Sequence, residues 1–235
     1  MYGMGTMRWT RIALAAALPA LAWGAELPST DRVRTAAEKG LALIQASQNT
    51  WYAKQSCESC HHQVLPELAY KAAREHGLRF DEAAARVHAA KAFSGYANLD
   101  RAVQYTQIID PVVDDTWKLL AANAAGVRPN LVTAVYARLH MLHQRPGGYW
   151  TTLDVRPPAS HSTFSATAIS VRAIQLYGHP SQAANTQACI GRARKWLEHA
   201  VPANTEDRSF QLFGLTWAGA DRTALASRAR SLAAA

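Results

Sequence analysis

Apolar residues recur along this chain at intervals of three and four, and no run alternates long enough to make a strand. The pattern predicts helices over Asp31–Ser47, Leu65–His76, Asp81–Phe93, Asp115–Ala125, Leu131–His143, Thr163–Leu176, Ala188–Ala200, Asp207–Ala218 and Thr223–Ala234. Thr30 and Asp31, Asp114 and Asp115, and Ser162 and Thr163 stand where a side-chain oxygen accepts from the free N–H groups of a first turn. Gly77, Gly126, Gly178 and Gly219 follow four of the helices, where a residue able to adopt left-handed backbone ends a helix cleanly. The expected fold class is all-α.

Aligning the chain on those glycines gives four copies: Leu65–Gly77, Asp115–Gly126, Thr167–Gly178 and Asp207–Gly219. Their glycines are 49, 52 and 41 residues apart. Each copy is rich in small residues and is followed by a second, more amphipathic helix. A helix pair of this kind covers its apolar face only by stacking on its neighbours. Alanine, at 47 of 235 residues, then reads as close approach between the first helices of successive pairs.

Charge and hydropathy single out the N-terminus. Arg8 and Arg11 precede the uncharged run Ile12–Ala22, which closes on Ala20-Leu21-Ala22. A basic start, a short apolar stretch and a small-x-small end read as a secretory signal, and the run is too short to span a bilayer stably. The expected organisation is a leader over 1–22, a linker over 23–30 and one helical domain over 31–235, exported to a periplasmic or extracellular space. No membrane span is expected after cleavage, which lowers the net charge from +8 to +6. The remaining basic residues are scattered, without the blocks or aromatic interleaving of a nucleic-acid surface. They favour an acidic partner if a protein partner exists.

Gln144-Arg145-Pro146-Gly147-Gly148-Tyr149-Trp150 has the form Q-x3-G-x-W. It resembles the repeat motif of the squalene–hopene cyclase and protein prenyltransferase superfamily. Arg194-Lys195-Trp196-Leu197 and the stretch from Lys39 to Gln48 look like incomplete copies. The resemblance implies an α/α toroid of alternating inner and outer helices, with the motif's Gln capping a helix end and stacking on its Trp. A complete ring in that superfamily uses about twice the helix pairs present here, so a partial toroid is implied. Val112-Val113-Asp114-Asp115-Thr116 is similar to the cyclases' acid motif, but Val112 replaces its first Asp, and helix capping accounts for Asp114 and Asp115. The zinc ligands of the prenyltransferases have no match.

Cys57-Glu58-Ser59-Cys60-His61 is C-x2-C-H, the attachment motif for c-type haem. Two thiols at this spacing reach the two vinyl groups of one porphyrin. The adjoining His61 supplies the proximal nitrogen to the iron. Two other chemistries use the same residues. Cys57, Cys60, His61 and His62 are zinc ligand types, though no second Cys/His pair at finger spacing accompanies them. An oxidising compartment also permits a Cys57–Cys60 disulfide or redox pair. The stretch from Ser56 to Gln63, followed by Leu65-Pro66, also resembles a class of exported squalene-cyclase-like proteins with C-x2-C-H-H in this position. Haem binding with electron transfer or another haem-based redox role is the leading function. An enzyme using an open-coordination haem or metal, and a catalytically inactive scaffold of the cyclase type, are the alternatives.

Equivalent places before the inner helices are held by Asp114 and Asp115, His161, and Glu206 and Asp207. His161 is therefore the candidate distal ligand. His140, His143 and Met141 are expected to pack or to lie at the surface of an outer helix, and His88 to lie on a helix surface. Cys189 is expected as a buried, inert thiol at the start of an outer helix. Trp117, Trp150, Trp196 and Trp217 are expected between helices.

Overall fold

A computed structural model describes residues 28–55, 60–104, 116–153 and 162–234, excluding the side chains of residues 60, 61, 101 and 104. The leader, most of the linker, Cys57, Asp114, Asp115 and His161 lie outside the described residues. Among the described residues ten α-helices follow one another: α1 (Thr30–Lys54), α2 (Leu65–Glu75), α3 (Glu82–Ala92), α4 (Leu99–Gln104), α5 (Trp117–Ala124), α6 (Leu131–Leu142), α7 (Thr163–Tyr177), α8 (Ala183–His199), α9 (Thr205–Trp217) and α10 (Arg222–Ala233). A π-helical turn, Cys60–Val64, leads into α2, and 3-10 turns occupy Ser94–Ala97 and Pro180–Gln182. No strand occurs among the described residues, so the all-α expectation holds.

Local chemistry sets the helix ends. Ser162 accepts from the backbone of Phe164 and Ser165, and Ser165 closes a reciprocal cap on α7. Asn130 and Thr133 do the same at α6. At α1 the capping side chain is Ser29, one residue before the expected Thr30 and Asp31. Gly77, Gly126 and Gly219 have φ of +60°, +86° and +72°. After them Leu78, Val127 and Ala220 donate back to Ala73, Ala122 and Leu215, satisfying carbonyls left free at the helix end. Gly178 differs from its expected role, because its φ is −59°. Crowding explains it instead: a Cβ there would stand 2.6 Å from the Ile174 carbonyl oxygen and 3.0 Å from Thr186 Oγ1.

The four glycine-terminated helices pack in sequence, α2 on α5, α5 on α7 and α7 on α9, the last pair most extensively. Helix α6 packs on α7, α8 packs on both α7 and α9, and α10 packs on α9 with no buried residue of its own. The α7–α9 approach requires small residues. A Cβ on Gly214 would lie 3.1 Å from the Ala168 Cβ and 2.7 Å from Leu197 Cδ1. The largest core cluster joins Val64, Phe93, Tyr96, Leu119, Tyr136 and Tyr177, and so ties the π turn to α3, α5, α6 and α7. A smaller one, Leu41, Tyr70, Ala73 and Ala85, fastens α1 and α3 onto α2.

Candidate functional site

The C-x2-C-H motif occupies the connection between α1 and α2. Helix α1 does not stop at Ser47 but runs on to Lys54, where the Gln55 N–H closes on the Trp51 carbonyl. Cys57 lies outside the described residues. Cys60 and His61 open the π turn that continues into α2 through Leu65-Pro66. Pro66 has no N–H, and it stands in the first turn of α2, where that loss is tolerated.

Beyond the motif, one face of this continuous stretch is polar and buried. Gln63, Glu67 and Tyr70 are spaced i, i+4, i+7, and each is 1% exposed or less. Tyr70 donates its hydroxyl to Oε1 of Gln48 on α1 at 2.5 Å. Among the described residues, neither carboxylate oxygen of Glu67 has a hydrogen-bond partner, nor has the Gln48 amide nitrogen. Burial pushes the Glu67 carboxyl up to about 7. Arg74 partly opposes that rise, and Glu82 adds to it. Burial, with Glu67 close by, raises the Tyr70 phenol far above its ordinary range. A carboxylic acid held in this way is neutral or charged within the physiological range and can take up or release a proton there.

One turn further along α1, Trp51 stacks on His62 with ring centroids 4.6 Å apart at 13°. The pair forms one wall of an open-sided groove of about 450 Å³, which Leu43, Ala46, Thr50 and Lys54 also line. His88 is buried, contrary to the surface position expected for it. Its Nε2 lies 2.9 Å from Asn49 Oδ1, and its ring lies against Tyr52. The extra turns of α1 cover α3 and cause the difference.

The motif's chemistry fits a covalently attached haem. Two thiols and an imidazole come from one short segment, and an aromatic-walled groove adjoins it, within the size range of small-molecule sites. Among the described residues no group of three or more His, Cys, Asp or Glu is placed to hold a metal ion.

The other singled-out residues build structure. Gln144 donates to the carbonyls of Gly148 and Cys189, both at 2.9 Å, and accepts from Arg192, tying the end of α6 to α8. The ring stacked against Trp150 is that of His140. His140 and Met141 are buried and His143 is exposed. Cys189 is buried with its thiol pushed up to about 11 by desolvation, although it lies in the middle of α8 rather than at its start. Trp117 and Trp150 are buried, Trp196 packs on Phe164 and Tyr149, and Trp217 packs on Phe213.

Gln48, Glu67 and Tyr70 were not anticipated from the sequence. The available signal was a polar i, i+4, i+7 series starting at Gln63. An acid in the first turn of a helix, however, reads first as a partner for the helix dipole. No family model matches the chain, and neither curated proteins nor solved structures give a match.

Proposed function

We propose that this chain is an exported helical protein that carries a c-type haem on Cys57 and Cys60, with His61 as the proximal ligand, and that it transfers electrons. The observation that carries the reading is the C-x2-C-H sequence behind an apolar leader. The place of the motif supports it: Cys60 and His61 open a turn continuous with α2, beside a groove walled by Trp51 and His62. When bound, the haem supplies a one-electron couple between ferrous and ferric iron. The chain's own residues position that group. The π turn fixes Cys60 and His61 on α2, Val64 and Leu65 bind the turn to the main core, and the stack on Trp51 occupies His62. His161, in the segment that enters α7, is the candidate for the sixth position.

The sequential packing of α2, α5, α7 and α9, with α6, α8 and α10 against the row, supports reading the fold as a partial α/α toroid. The scattered basic surface favours an acidic redox partner. If so, electron transfer between them slows as ionic strength rises.

The test is to produce the protein with haem-attachment machinery, separate it on a denaturing gel and stain for peroxidase activity. A stained band at the chain's own mass supports the reading, and an unstained band overturns it. Metal analysis of an unstained sample then distinguishes zinc from a Cys57–Cys60 disulfide. In the haem-loaded protein, a low-spin spectrum that becomes high-spin in His161→Ala assigns the sixth ligand. An unchanged spectrum removes His161 from that role.

A further inference from the structure

We propose that the concavity between the turn Arg145–Gly148 and α8 is a binding site for a small ligand that joins an anionic head, a carboxylate or a phosphate, to a flat ring. The site shares no residue with the C-x2-C-H motif. Its volume is about 440 Å³, within the size range of small-molecule sites, and it is open on one side. Arg192, Lys195, Trp196 and His199 line one wall, and Pro146 and Gly147 at the tip of the turn line the other. A spacing of i, i+3, i+4 and i+7 puts the four α8 residues on one helix face.

Both walls are fixed before a ligand arrives, which lowers the ordering cost of binding. The Gly148 N–H closes the turn on the Arg145 carbonyl at 2.8 Å. The turn sits directly on α8, where a Cβ on Gly148 would stand 2.5 Å from the Arg192 carbonyl oxygen. Arg192 donates from Nε and Nη2 to Gln144 Oε1, at 2.9 and 2.5 Å, so its guanidinium is held in place with Nη1 outside both bonds. Trp196 is half-buried, and Tyr149 and Phe164 pack against its ring at centroid distances of 5.3 and 4.9 Å.

Charge selects the head. Among the described residues the lining holds three basic side chains and no acidic one. Glu198 is off this face and pairs with Arg194 at 3.7 Å. Arg192 and Lys195 supply charge-assisted hydrogen bonds to an anionic group. His199 is oriented by its Nδ1–H, which donates to the Lys195 carbonyl at 2.7 Å. Cations near the C-terminal end of a helix are stabilised by its free carbonyls, and that alone accounts for Lys195 and His199. It does not account for the turn and the Trp196 ring set around them. Those walls suit a flat ring stacked on the indole.

The experiment is isothermal titration of the exported full chain with phenyl phosphate and benzoate, which carry head and ring, and with inorganic phosphate and acetate, which carry the head alone. The Trp196 indole N–H resonance, assigned through Trp196→Phe, reports the place of binding. A ring-bearing anion is expected to bind more tightly than its bare head and to shift that resonance, and the tighter of the two identifies the head. Lys195 is exposed, so Lys195→Glu keeps the fold, and it is expected to weaken binding by about tenfold or more. Lys39→Glu makes the same charge change at an exposed position of α1 and is expected to leave binding unchanged. No binding of either ring-bearing anion overturns the inference. A bare head that binds as tightly shows that Trp196 takes no part, and an equal loss in Lys39→Glu assigns binding to net charge; either overturns it. Tighter binding of poly-glutamate makes the face a docking surface for an acidic protein and also overturns it. Attached haem or its absence leaves these outcomes unchanged.

Discussion

Trp150 donates its indole N–H to the carbonyl oxygen of His140 at 3.0 Å and lies parallel to that residue's imidazole, ring centroids 5.6 Å apart. The two residues lock the loop after α6 onto the helix it leaves. Trp150 is 1% exposed, and its backbone N–H donates to Thr167 Oγ1 on α7. Replacing it by Ala removes a fully buried ring and leaves the His140 carbonyl without that donor. Trp150→Ala is expected to lower the unfolding free energy by about 3–5 kcal/mol in chemical denaturation. A loss under about 1 kcal/mol is incompatible with this packing.

His140 also sets an acid limit. Ser170 gives its proton to the Ala166 carbonyl, so His140 Nε2–H donates to Ser170 Oγ at 2.7 Å. Burial holds the imidazole neutral down to about pH 3, against an ordinary value of 6.5. Between those values the unfolded chain binds the extra proton, so stability is lost as pH falls. Denaturation curves taken at successive pH values are expected to show this acid branch, and His140→Gln is expected to flatten it.

Glu67 acts in the opposite sense. Its native carboxyl titrates at about 7 against 4.5 in a free chain, so the folded state binds the extra proton between the two. Its contribution is fully present below 4.5 and is lost as pH rises toward 7. The loss amounts to about 3 kcal/mol relative to an uncharged residue. Glu67→Gln is expected to be more stable than wild type above pH 7, with the difference vanishing at low pH. An equal effect at every pH rules out a buried, titrating acid. Between 4.5 and 6.5 Glu67 and His140 offset one another, and each single variant exposes the other's slope.

Gly148 is required twice over. Its φ is +93°, and a Cβ would stand 2.5 Å from the Arg192 carbonyl oxygen. Gly126 has a similar φ of +86° but no neighbour within 4 Å of its Cβ position. Gly126→Ala is expected to cost about 1 kcal/mol and Gly148→Ala at least about 2 kcal/mol in the same denaturation assay. Equal costs mean that the α6–α8 contact plays no part.

The helical class, most helix positions and three of the glycine stops were readable from periodicity, because Gly77, Gly126 and Gly219 meet a local requirement of the backbone. The tertiary uses of polar residues were not. Gln48-Asn49-Thr50 reads as the end of a helix, yet Gln48 turns inward to Tyr70 and Asn49 toward His88, so α1 continues and buries His88. Gly178 reads as a fourth stop, and its crowding by Thr186 of α8 is visible only once the helices are packed. Within the candidate site the sequence supplied the thiols and the imidazole. The buried acid one and a half turns further on was hidden, because its burial depends on α1 and α5 covering α2.

Intact-mass analysis of the denatured, exported full chain decides whether Cys57 and Cys60 carry a covalently attached haem. The expected mass exceeds that of the polypeptide by one haem, and the increment is expected to be lost in the double variant Cys57→Ser, Cys60→Ser. A chain produced with active haem-attachment machinery whose mass equals that of the bare polypeptide contradicts covalent attachment.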